Sequence, residues 1–166
     1  MKSNKEKVIL GIDPGTNRIG FGIIQAVGRK VNYVDSGLIE IKEKYAPEQL
    51  KKIFDCLNEV IRRYSPDSAA VEKLFFAKNQ KTAMNVSEAR GCIMLTLALA
   101  GVPIVEISPN EVKSSVTGYG HADKAAVLKM VNLILGSKGF HPIDDTSDAL
   151  AIAIAAASSL APNSDV

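Results

Sequence analysis

KVILGIDPGTNRIGFGIIQ, residues 7–25, is the stretch on which the fold turns. KVILGID is a short apolar run closed by an acid, and IGFGIIQ is a second run rich in isoleucine. PGTN between them is turn chemistry, with Pro and Gly in adjacent positions. A third run, VNYVDSGLIEI, follows the loop AVGRK, so the chain opens as a three-stranded meander. Asp13 closes the first strand. An acid there either caps the following turn or belongs to a site, and the sequence leaves both readings open.

Beyond the meander the period changes. Leu50, Ile53, Phe54, Leu57, Val60, Ile61 and Tyr64 recur at helical spacing until Pro66 stops the pattern. SAAVEK reads as a short strand and NQKTAMNVSEARGCIMLTLALA as a long helix closed by Gly101. PIVEIS is the fifth strand. A short helix around NEVKSSV, the link TGYGHAD, the helix KAAVLKMVNLIL and an apolar C-terminal helix complete the order, with APNSDV as a frayed tail. Three strands followed by α–β alternation predict a mixed five-stranded α/β sheet flanked by helices. Right-handed crossovers place strands one, four and five side by side and parallel. No internal repeat or linker divides the chain, so a single domain over residues 1–161 is expected, with 162–166 as a flexible tail.

Composition narrows the functional classes. The 166 residues are 46% hydrophobic, enough for a proper core, and a net charge of +2 names no partner by itself. Charge is unevenly spread, however. Residues 73–90 hold Lys73, Lys78, Lys81 and Arg90 against Glu88, which suits either a solvated face or an anionic partner. Cys56 and Cys92 have no C-x-x-C spacing and read as reduced core thiols. The apolar run over residues 149–161 is short of the roughly 20 residues needed to cross a bilayer. A soluble, cytoplasmic protein is expected.

The C-terminal ends of the parallel strands are where ligands collect in such sheets. Strand one ends in Asp13 and strand four in Glu72, which follows three apolar residues and is out of place beside a buried strand unless something compensates it. HPIDDTSDALAIAIAAA, residues 141–157, adds Asp144, Asp145 and Asp148 at the mouth of an apolar helix. Helix capping accounts for one such acid. Asp145 and Asp148 stand three apart on one helical face. Packed beside strands one and four, they bring four carboxylates together, and two carboxylates about 4 Å apart repel by roughly 4 kcal/mol at an effective dielectric near 20. Protons or cations must neutralise such a cluster. An all-oxygen donor set favours Mg²⁺ or Mn²⁺, and a pair of such ions suits in-line displacement at phosphorus.

GIDPGT, VEKLFFAKN, VKSSVTGYGHADK and DTSDALAIAIA together, in this order, resemble the RuvC family of Holliday junction resolvases. The resemblance implies a ribonuclease-H-like fold and a homodimer that nicks four-way junction DNA in paired, symmetric cuts. It implies Mg²⁺ as cofactor, two ions per site with Mn²⁺ as a substitute. It carries the four acids onto Asp13, Glu72, Asp145 and Asp148, with the three-residue spacing selecting Asp145 over Asp144. Lys113 and Lys124 match the family's lysine pair, and Phe75 its base-stacking aromatic. Lys78, Lys81 and Arg90 are then expected on backbone phosphates, with salt-sensitive binding. The RuvA–RuvB branch-migration complex is a candidate partner on the same ground. Two other classes compete: a phosphate-loop ATPase of the actin/Hsp70 type, suggested by D-x-G-T, and a non-catalytic nucleic-acid-binding module. The single D-x-G-T leaves room for one lobe, whereas those ATPases close two around a nucleotide.

Overall fold

The computed structural model describes residues 5–74, 80–136 and 144–160, apart from the side chains of residues 80–82 and 144. Phe75, Lys78 and the tail over 162–166 lie outside the described residues, as do the side chains of Lys81 and Asp144. Strands β1 (Lys7–Asp13), β2 (Arg18–Val27) and β3 (Lys30–Glu40) form the meander. Helix α1 (Ala46–Tyr64), β4 (Ser68–Glu72), α2 (Gln80–Leu99) and β5 (Ile104–Ile107) follow. Three helices close the fold: α3 (Pro109–Thr117), α4 (Lys124–Leu135) and α5 (Asp144–Leu160).

The sheet order is β3-β2-β1-β4-β5, antiparallel within the meander and parallel through β1, β4 and β5. This matches the expected topology. The meander is antiparallel because short loops join its strands, whereas α1 and α2 supply the crossovers that parallel pairing requires. Alternation along β1 sends Ile9 to one face of the sheet and Leu10 and Ile12 to the other. The first face is covered by α5, α3 and α4, and the second by α1 and α2.

The two faces are packed differently. On the α1 side, Ile53, Leu57, Ile93 and Leu97 fill the space with large, fully buried side chains. Each contributes roughly 1.5–3 kcal/mol by leaving water. On the α5 side the backbones themselves approach. A Cβ on Gly11 would stand 2.0 Å from the carbonyl oxygen of Ala149, and one on Gly20 would stand 2.0 Å from that of Asp145. Only glycine permits α5 to lie so near β1 and β2. Helix α5 answers with alanines, and Ala149, Ala153 and Ala156 are all buried.

Candidate active site

The same alternation that orders the core aims the acids. Asp13 follows Ile9 and Gly11 on the α5 face, and Glu72 follows Ala70 on that face of β4. Parallel pairing of Ile12 with Val71 sets Asp13 and Glu72 next to one another where both strands end. The contact at Gly20 fixes the first turn of α5 above them, which places Asp145 and, one turn on, Asp148. Helix α5 begins at Asp144, so Asp145 sits inside the first turn and is not the N-cap that a capping reading expects.

Two further helices contribute the lysines. Helix α3 starts sharply because Ser108 accepts from the Glu111 amide at 3.2 Å while the Glu111 carboxylate accepts from the Ser108 amide at 2.7 Å. One turn later that helix presents Lys113. Helix α4 is capped by Asp123, which accepts from the Ala126 amide at 2.7 Å, and its first residue is Lys124. Asp13, Glu72, Asp148, Lys113 and Lys124 line one cavity of about 280 Å³, walled on its apolar side by Val112, Val127, Ala151 and Ile152. A larger cavity of about 630 Å³ lies between β3 and α1, lined by charges of both signs including Asp35, Lys52, Glu59 and Arg63, and holds none of these residues.

Charge is under strain in the smaller cavity. The Asp13 carboxyl is pushed up to about 7, first by burial and then by Glu72, Asp148 and Asp145, with Lys124 opposing. Burial and then Asp148 also raise Glu72, against the pull of Lys113. Asp13 therefore senses all three other acids, although Asp145 does not line the cavity. Cations of the chain already answer it in part: Lys124 Nζ lies 3.2 Å from Asp148, and Arg18 Nε lies 3.2 Å from Asp145. These exposed pairs are each worth roughly 1 kcal/mol or less, too little to relieve Asp13.

The donor set fits a hard divalent cation. All four candidates offer carboxylate oxygens, and an added cation is what lowers their mutual repulsion. Among the described residues, no group of three or more His, Cys, Asp and Glu side chains already stands close enough to hold an ion.

Arg18 was not anticipated from sequence. Its signal is positional: it opens β2 directly after the turn that follows Asp13. Arg90, expected on a DNA phosphate, is instead engaged inside the protein. Its Nε donates to the Glu72 carbonyl oxygen at 3.0 Å, another guanidinium nitrogen pairs with the Glu106 carboxylate, and the side chain is 18% exposed. The reason lies in helical spacing, because Arg90 is three residues before Ile93 and seven before Leu97, on the buried stripe of α2.

Known proteins resemble this chain in sequence and fold. The family model for crossover junction endodeoxyribonuclease RuvC matches residues 9–156. A crossover junction endodeoxyribonuclease RuvC of Brachyspira hyodysenteriae is 49% identical over 152 residues, 91% of this chain and 94% of that protein. One from Thermosipho melanesiensis is 42% identical over 146 residues, 87% of this chain and 93% of its own length. Among solved structures, T. thermophilus RuvC in complex with Holliday junction substrate superposes with a TM-score of 0.83 at 34% identity, covering 90% of this chain and 92% of that one. The yeast mitochondrial Holliday junction resolvase Ydc2 shares the fold, with a TM-score of 0.68 at 15% identity over 90% of this chain and 77% of its own.

Proposed function

The chain belongs to the RuvC family of crossover junction endodeoxyribonucleases, and from that premise we propose how its residues resolve a Holliday junction. It is a nuclease that acts on four-way DNA junctions, and the phosphate-loop ATPase and the non-catalytic module are not favoured. Family membership brings metal dependence with it. Asp13, Glu72, Asp145 and Asp148 are the ligands, for two Mg²⁺ ions that Mn²⁺ can replace. The observation that carries this reading is the one cavity that Asp13, Glu72 and Asp148 line together with Lys113 and Lys124; burial and the neighbouring acids raise the Asp13 carboxyl as such crowding requires. When bound, such ions polarise the scissile phosphate, lower the pKa of the attacking water and offset charge on the leaving 3′ oxygen.

The chain's own groups do the remaining work. Lys113 and Lys124 project from two helices into the cavity that the acids line. With cations held by the carboxylates, Lys124 would leave Asp148 for a phosphate oxygen, and both ammonium groups would stabilise charge developing on the phosphoryl group. The apolar wall of Val112, Val127 and Ile152 restricts water to the polar side. Hydrolysis leaves a 5′-phosphate and a 3′-hydroxyl. Phe75 stacks on a junction base, a contact worth about 1–3 kcal/mol, and Lys78 and Lys81 hold backbone phosphates.

Paired symmetric cuts call for a two-fold dimer. Helix α2 carries an outward stripe of Met84, Gly91, Leu95 and Leu99, with Leu95 57% and Leu99 69% exposed. That stripe supports α2 as the contact with a second copy. Sedimentation of the wild type should give a dimer and Leu95→Glu a monomer; a monomeric wild type contradicts this. The nuclease domain takes in residues 1–161, with 162–166 as a tail. A cytoplasmic location and docking with branch-migration proteins complete the reading. No helix among the described residues is long and apolar enough to cross a membrane.

The test of the site is Asp148→Asn on a synthetic four-way junction. Cleavage in Mg²⁺ is expected to fall by at least about 100-fold, while junction affinity in Ca²⁺ stays within about twofold. Undiminished nicking by this variant at saturating Mg²⁺ would remove Asp148 from the site.

A further inference from the structure

We propose that Arg90 is a positioning residue for Glu72, acting on it through the backbone from the opposite face of the sheet. The peptide group joining Glu72 to Lys73 is gripped at both ends. Its N–H, from Lys73, donates to the Ile107 carbonyl oxygen at 2.9 Å, and its C=O, from Glu72, accepts from Arg90 Nε at 3.0 Å. Glu72 is the last residue of β4 and pairs with the last residue of β5. Neither strand continues beyond this point, so a side chain from α2 completes the clamp. A peptide plane fixed at both ends fixes the residue that enters it, and hence the direction in which the Glu72 side chain leaves the strand.

Glu106 holds the clamp in place. Alternation along β5 puts Val105 and Ile107 on the α5 face and Ile104 on the α2 face, so Glu106 follows Ile104 toward α2. There its carboxylate pairs with a second nitrogen of the Arg90 guanidinium. One planar, permanently charged fork thus spans β4 and β5. Lysine, a point charge on a flexible stem, cannot make both bonds in fixed directions. Arg90 lies on the α2 side while the Glu72 carboxylate lines the cavity on the α5 side. Its contribution therefore acts through strand geometry and not through contact with substrate.

This inference rests on the reading that Glu72 holds a divalent cation, and the experiment separates the two. Mn²⁺ alone is titrated calorimetrically into the full-length protein without DNA, for the wild type, Glu72→Gln, Arg90→Gln, Arg90→Lys and Glu106→Ala. Junction affinity is measured in chelator over a range of salt. Arg90→Gln and Arg90→Lys should both weaken Mn²⁺ binding by roughly 10–100-fold, and Glu106→Ala, with Arg90 in place, by several-fold. Junction affinity and its salt dependence should stay at wild-type values in all three. Should Arg90→Gln fail to fold, Glu106→Ala decides alone. Wild-type Mn²⁺ affinity in the Arg90 and Glu106 variants, with binding lost in Glu72→Gln, overturns the positioning role and leaves the metal reading intact. Wild-type affinity in Glu72→Gln overturns the metal reading beneath it. A weaker junction affinity in Arg90→Gln, restored by lysine and with a salt slope smaller by about one ion, makes Arg90 a phosphate contact and also overturns the proposal.

Discussion

The two faces of the sheet are built differently. The α1/α2 face is held by large aliphatic side chains, with Ile53, Leu57, Ile93 and Leu97 fully buried. The α5 face also buries Ile9, Ile24, Leu150 and Ile152, and adds backbone proximity, glycine on the strands against alanine on the helix. Bulky packing tolerates small readjustments, because side chains can repack when a methylene is lost. Backbone contact tolerates none. That intolerance suits a site where the first turn of α5 must hold two carboxylates in register with the ends of β1 and β4. The chain thus places its tightest backbone contacts on the face that carries the acids.

Breaking that contrast takes one substitution on each face. Gly11→Ala forces a Cβ to within 2.0 Å of the Ala149 carbonyl oxygen and 2.7 Å of the Ala153 amide nitrogen. Both are backbone atoms, so α5 must move. Cleavage should fall by 100-fold or more, because a displacement of about 1 Å costs that much at a reacting centre, with a stability loss above about 4 kcal/mol. Leu57→Ala on the other face should cost about 2–5 kcal/mol of stability yet leave the cleavage rate per folded molecule near wild type. Urea denaturation and single-turnover cleavage separate the two effects. Equal losses of rate in both variants would erase the distinction between the faces.

A smaller effect, of opposite sign, comes from Asp13. Its carboxyl is raised from 3.8 to about 7 in the folded protein, so between those values the folded state binds more protons than the unfolded state. Stability from this group is fully present below about pH 4 and is lost as pH rises toward 7. The shift corresponds to about 4 kcal/mol as an upper bound. Asp13→Asn removes the ionised form. In chelator at pH 8 it should raise Tm by on the order of 5–10 °C, and the gain should vanish near pH 4. A variant no more stable than wild type at pH 8 would show that Asp13 carries no such burden.

Much of this was legible in the sequence. Short apolar runs closed by Asp13 and by Glu72, followed by a change to helical period, sufficed to predict the mixed sheet with strands one, four and five side by side and parallel. Local pattern reports which face a residue occupies. It does not report what lies opposite. The glycines of β1 and β2 are visible as letters, but their use as a seat for α5 exists only once the helix is packed. The internal partners of Arg90 were hidden for the same reason: its charge suggested solvent and DNA, while its spacing before Ile93 and Leu97 places it on the inner stripe of α2. Arg18 had only its position after the Asp13 turn to mark it, since its partner Asp145 lies at the other end of the chain.

The central claim is that the fold gathers distant carboxylates into one seat for hard cations, and crystals grown with Mn²⁺ test it most directly. Anomalous difference density is expected among Asp13, Glu72, Asp145 and Asp148, with carboxylate oxygens at about 2.0–2.2 Å from the metal. Strong density elsewhere on the molecule, with none among these four side chains, would contradict it.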